Sequence, residues 1–157
     1  MRSRLSVACA LAALLGACSS NLNFRVDNRL HWDAPAVRAL VTLPLPIAWT
    51  MTDRPAGSFA VFVDRAPVRP GRTLSSVAAG DRACRSDRSC PDAEYLSQRQ
   101  VYATNAPSMI LTHVAPLLAS KDGVQVHQVT IVLLDPSGRR IGESAWTREF
   151  RLRKVSL

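Results

Sequence analysis

Hydrophobic residues along this chain fall into short runs cut by proline and glycine. Ten prolines and seven glycines are spread over 157 residues. Val, Ile, Leu and Thr fill the pieces between them, and that punctuation predicts an all-β domain. The strongest central-strand candidate is 58–64 (SFAVFVD). Further candidates are 23–29, 37–45, 47–51, 100–104 and 108–113. Pro44 and Pro46 lack backbone donors, so their segment belongs at a sheet edge or bends between sheets. Arg69-Pro70-Gly71-Arg72 suits a type II turn.

The clearest unit is a C-terminal hairpin. Residues 124–134 run into Asp135-Pro136-Ser137-Gly138, which fits a type I turn with a bulge at the glycine, and 140–152 return. On the return, Trp146, Arg148, Phe150 and Leu152 share one face. That face should pack inward, with Arg148 near the rim. Helix is scarce: 91–99 (PDAEYLSQR) predicts two turns, with Pro91 as the first helical residue and Asp92 and Glu94 favoured by the helix dipole. The expectation is a β-sandwich of the immunoglobulin-like or transthyretin-like class, with about seven short strands and one short helix. A small barrel is the alternative. No cysteine pair is placed to join two sheets, which excludes an antibody-type domain.

The N-terminus reads differently. Arg2 and Arg4 precede an uncharged run, 5–15 (LSVACALAALL), that is too short to span a bilayer permanently. The run ends in Leu15-Gly16-Ala17-Cys18, followed by Ser19 and Ser20. This segment resembles the signal of bacterial lipoproteins. The resemblance implies that 1–17 are removed, that Cys18 carries the lipid, and that 18–23 form a short tether ahead of one domain, 24–157. It also implies an extracytoplasmic location on a lipid anchor. That place is the periplasmic face of the outer membrane in a cell with two membranes, or the outer face of the plasma membrane in a cell with one. More than one acyl chain makes such anchoring stable.

The resemblance also sorts the four cysteines. Cys9 leaves with the leader and Cys18 takes lipid. Cys84 and Cys90 remain, and in an oxidising compartment they read as a disulfide pinning a surface loop. Its chain-entropy contribution is roughly 2 kcal/mol. The spacing is wrong for a Cys-X-X-Cys redox pair. A zinc site would need ligands nearer than His31, His113 and His127.

Charge narrows the partners. The formal charge is +8, or +6 without Arg2 and Arg4, and every cation except Lys121 and Lys154 is arginine. A basic surface beside a membrane can meet anionic headgroups, lipopolysaccharide phosphates or an acidic protein; arginine as a default solubilising cation is the competing reading. Nucleic acid is not an expected partner outside the cytoplasm, and no recognition motif is present.

Catalytic motifs are absent. Gly142-Glu143-Ser144-Ala145-Trp146 misses the nucleophile elbow, and there is no P-loop or His-Glu-X-X-His. No cofactor is expected. His31, His113 and His127 would matter only if the fold brought them to a carboxylate. Asp81, Asp87, Asp92 and Glu94 could hold calcium, but Arg82, Arg85 and Arg88 interleave with them, and local Arg–carboxylate pairing is the better expectation. Trp32, Trp49 and Trp146 could line a ligand groove, or simply pack in the core.

These features point to a membrane-anchored binding or adaptor subunit for an envelope protein, not an enzyme. Arg82, Arg85 and Arg88 on the cross-linked loop are the candidate contact. The alternative is a binding module for lipid, lipopolysaccharide or cell-wall glycan.

Overall fold

A computed structural model describes residues 27–117 and 123–153. Cys18, the leader and the tether lie outside the described residues. The fold is mainly β, a sandwich of two sheets. The strands are β1 (Leu30–Ala34), β2 (Leu40–Val41), β3 (Leu45–Met51), β4 (Ser58–Val63), β5 (Val101–Thr104), β6 (Ser108–Leu111), β7 (Val124–Leu134) and β8 (Trp146–Arg153). Between β4 and β5 come a 3-10 helix (Leu74–Ala78), α1 (Arg82–Ser86) and α2 (Ala93–Gln98). The described residues thus hold eight strands and two short α-helices, where about seven strands and one helix were expected.

One sheet has the order β1-β3-β6 and the other β2-β8-β7-β4-β5. Ile47 and Trp49 of β3 pack between the sheets against Phe59, Val61, Ile131 and Phe150. Trp49 meets Phe59 edge-to-face at 5.0 Å, a favoured aromatic geometry.

Strand β4 does not alternate in burial, because both its faces are covered. Phe59, Val61 and Val63 face the smaller sheet. Ala60 and Phe62 face Leu96 of α2 together with Val132 and Leu134. The helices form a third layer over half of the five-stranded sheet. Strand β7 records where that layer stops: its burial alternates up to Gln128 and is continuous from Val129 onward. Just before β4, Gly57 has φ +136°, and a Cβ there would stand 2.0 Å from the Leu134 carbonyl oxygen. Only glycine allows this approach of β4 to β7.

The proline segment does both things expected of it. Strand β2 is an edge of the larger sheet, paired in parallel with β8. The chain then crosses over, and β3 becomes the centre of the smaller sheet. Pro46 survives there because the Trp49 N–H points toward β6, bonding the Pro107 carbonyl at 3.0 Å. Donor directions alternate along a strand, so the position of the missing Pro46 donor faces the β1 side. Strand β1 has already ended there, at Ala34↔Ala48.

Three local expectations are corrected. The described part of 23–29 is a turn, and the first strand is Leu30–Ala34. The return of the hairpin begins at Arg140, as expected, with an isolated bridge to Leu134, but its continuous pairing starts only at Trp146. The Ile141 N–H also bonds the Leu133 carbonyl at 2.9 Å; the chain then leaves the ladder over 142–145, where the buried Arg140 donates to the carbonyls of Glu143 at 2.8 Å and Val68 at 2.7 Å. Pro91 precedes the helix instead of beginning it, because Asp92 is the N-cap, accepting from the Tyr95 N–H at 2.7 Å. Both turns close as expected. Arg72 N–H bonds the Arg69 carbonyl with Gly71 at φ +74°, and Gly138 N–H bonds that of Asp135 with Gly138 at φ +76°.

Candidate functional site: the cross-linked arginine loop

The segment between the 3-10 helix and α2 carries the candidate site. Asp81 starts it. Its Oδ1 accepts from the backbone N–H groups of Ala83 at 3.0 Å and Cys84 at 3.2 Å, capping α1. An aspartate cap satisfies donors that the first turn leaves free. A turn follows, where Asp87 Oδ1 accepts from the Ser89 N–H at 2.8 Å and hydroxyl at 2.7 Å. Cys90 then closes the disulfide back to Cys84, as expected. Cys84 is buried, which fixes the loop to the body.

Asp81 also joins α1 to α2. Its Oδ2 accepts from the Tyr95 hydroxyl at 3.0 Å and from Arg99 Nη2 at 3.1 Å. The Arg99 guanidinium lies 3.4 Å over the Tyr95 ring. The Cys84 N–H and the Tyr95 hydroxyl hold the Asp81 carboxyl below the usual carboxylate range. Burial, then the hydrogen bond to ionised Asp81, pushes the Tyr95 phenol up. On the other side, Leu96 anchors α2 to Phe62 and Val132.

Three of the four acids around the loop accept from backbone donors. Asp81 and Asp92 cap helices, Asp87 closes a turn, and Glu94 accepts from Gln98 Nε2 at 3.4 Å. Of the expected Arg–carboxylate pairing, Asp81 with Arg99 forms, but among the described residues Arg82, Arg85 and Arg88 take no part in it. Arg82, Arg85 and Arg88 are all exposed, and among the described residues none has an ion pair. The first two sit on α1 and Arg88 on the turn after it. The loop expected between the cysteines contains a helix, which the short sequence between two turn signals did not reveal. Among the described residues, no group of three His, Cys, Asp or Glu side chains is gathered closely enough to hold a metal ion.

The histidines do not converge. His31 lies exposed on β1 and His113 exposed after β6. His127 does meet a carboxylate. Its Nδ1 is 2.6 Å from Asp64 Oδ2, but the residue is 1% exposed and Nε2 is buried without a partner. No reacting group can reach that nitrogen from solvent as the side chain stands. The tryptophans do not form a groove either. Trp49 and Trp146 are buried, at 2% and 7% exposure, and Trp32 packs half-buried against the core. No tryptophan lines the shallow surface depressions found among the described residues.

Among the described residues, no helix is long and apolar enough to cross a membrane. No protein-family model matches this chain, and neither a curated protein nor a solved structure does.

Proposed function

We propose that this chain is a lipid-anchored extracytoplasmic adaptor, which binds an envelope protein through the loop bearing Arg82, Arg85 and Arg88. The observation that carries this reading is the state of those guanidinium groups. They are exposed, they have no ion pair among the described residues, and they stand on a segment held by a disulfide and two capped helices. Arginine presents several donors in a planar fork that matches carboxylates. A loop ordered before binding loses less entropy when it docks, and binding groups are often carried on loops over a rigid sheet. The leader resembling those of lipoproteins supplies the anchor and the compartment.

The test compares wild-type protein, isolated from membranes after in-cell crosslinking, with the triple variant Arg82→Glu, Arg85→Glu, Arg88→Glu. The expected result is one dominant protein partner with an acidic contact surface, whose capture is lost in the triple variant. Co-isolation of lipid, lipopolysaccharide or glycan instead, with no protein partner, would favour the ligand-binding alternative.

A further inference from the structure

Among the described residues, the five-stranded sheet has an open edge along half of β8. Strand β2 covers that edge only at Leu40↔Arg151 and Val41↔Leu152. Arg38 N–H donates to the Glu149 carbonyl at 2.8 Å, and Arg151 N–H to that of Ala39 at 2.8 Å. Main-chain groups point to alternate sides along a strand. The N–H and C=O of Thr147 and the N–H of Glu149 therefore point the same way, away from β7. Among the described residues these three groups have no partner. A depression flanks the edge, lined by Val37, Arg38, Gln128, Thr147, Arg148 and Glu149.

The charges at this edge are one-sided. Glu149 is already engaged by Arg38 Nε at 3.2 Å. Arg148 has no carboxylate partner among the described residues. Its guanidinium lies 5.5 Å from the ring of Trp32 in the seam between the sheets, and its Nε is buried without an acceptor. A half-buried guanidinium lacking a counter-charge gains more from an arriving carboxylate than a fully solvated one. Arg151 stands exposed further along the same strand.

We propose that residues 145–149 receive an extended acidic segment of a partner protein. The segment adds a strand to the sheet, pairs its main chain with Thr147 and Glu149, and sets a carboxylate on Arg148. Such strand addition takes affinity from the main chain and specificity from side chains. The inference rests on the adaptor reading for the class of partner, but on residues separate from the arginine loop.

The test uses the full chain as purified from membranes in detergent micelles, with amide hydrogen exchange read residue by residue. The probe is a synthetic peptide of alternating Glu and Val, with a Lys and Val peptide as control. The expected result is added protection at Thr147 and Glu149 with the acidic peptide only, weakened by salt. Thr147→Pro, which removes a donor the fold does not use, should abolish it. Arg148→Gln should weaken peptide binding about tenfold, and it carries the test alone if the proline variant does not fold. The triple loop variant should still respond, so failure at this edge and failure of the loop reading are separable. No protection at millimolar peptide, an equal response to the basic peptide, or protection confined to Arg82, Arg85 and Arg88 would overturn the proposal. An Arg148 that only keeps other strands off this edge gives the first of those results.

Discussion

Asp64 Oδ2 lies 2.6 Å from Nδ1 of His127, 63 residues further along the chain. The pair ties the end of β4 to β7, and the imidazole stacks on Phe150 at 5.5 Å. Asp64 Oδ1 also accepts from the Gln128 N–H at 2.8 Å. Removing the carboxylate leaves a buried ring nitrogen without its partner. Asp64→Ala should therefore cost about 1–3 kcal/mol, and Asp64→Asn less, because the amide keeps an acceptor. Urea unfolding of the three proteins checks this; equal midpoints would mean that the pair contributes nothing.

The disulfide closes a short ring. Replacing both Cys84 and Cys90 by Ser should lower stability by about 2 kcal/mol. The loss should appear first as faster amide exchange in α1, while β4 and β7 remain protected. Uniform loss of protection across both sheets would show that the cross-link supports the whole sandwich instead of the loop.

Phe62 is the largest side chain under the helical layer. Phe62→Ala should cost about 3–5 kcal/mol. It should also loosen α2, since Leu96 then loses the surface it packs on. Thermal unfolding together with exchange at Leu96 reads both effects. A large stability loss with α2 still protected would place the support for that helix elsewhere.

Several carboxylates bias the fold toward neutral pH. Arg29 holds the Asp27 carboxyl well below its ordinary range, aided by the Ser144 hydroxyl. Asp81, Asp87 and Asp135 are lowered by hydrogen bonds from backbone and hydroxyl donors. A carboxylate whose folded pKa lies under its unfolded value stabilises the fold above the unfolded value. That contribution is lost as pH falls through the folded one. Stability should therefore decline as pH drops below the ordinary aspartate value of 3.8. Asp27→Asn should be less stable near neutrality and less sensitive to acid. An unchanged acid profile for this variant would contradict the assigned role of Asp27.

Much of the sandwich is legible in the sequence because its strands follow simple patterns. SFAVFV reads as a buried strand, and the alternation of Trp146, Phe150 and Leu152 gives the inward face of β8. Strand β7 defeats the same logic over its first half. Gln125 and His127 point inward there while Val126 faces solvent. The inversion is possible because Gln125 bonds the Leu117 carbonyl and His127 bonds Asp64, partners supplied by the fold. At the candidate site the cysteine pairing and the exposed arginines are readable from spacing and charge. The joint made by Asp81, Tyr95 and Arg99 is not, since Asp81 is 14 residues from Tyr95 and 18 from Arg99. The partners of the acids are hidden in the sequence for a related reason. Backbone donors at two helix starts and one turn take Asp81, Asp92 and Asp87, and the arginine that Asp81 also holds is Arg99 rather than one on the loop.

The central claim is tested most directly by a photo-crosslinking residue placed at Ser86, which is exposed on α1 between Arg85 and Arg88. The measurement is made in cells on the anchored protein, with Cys18→Ser as the control that removes the lipid site. The account predicts a crosslink to one partner at an acidic segment, weakened in the control and lost when Arg82, Arg85 and Arg88 are changed to Glu. A crosslink that survives that triple change, or one formed only to lipid or glycan, would contradict it.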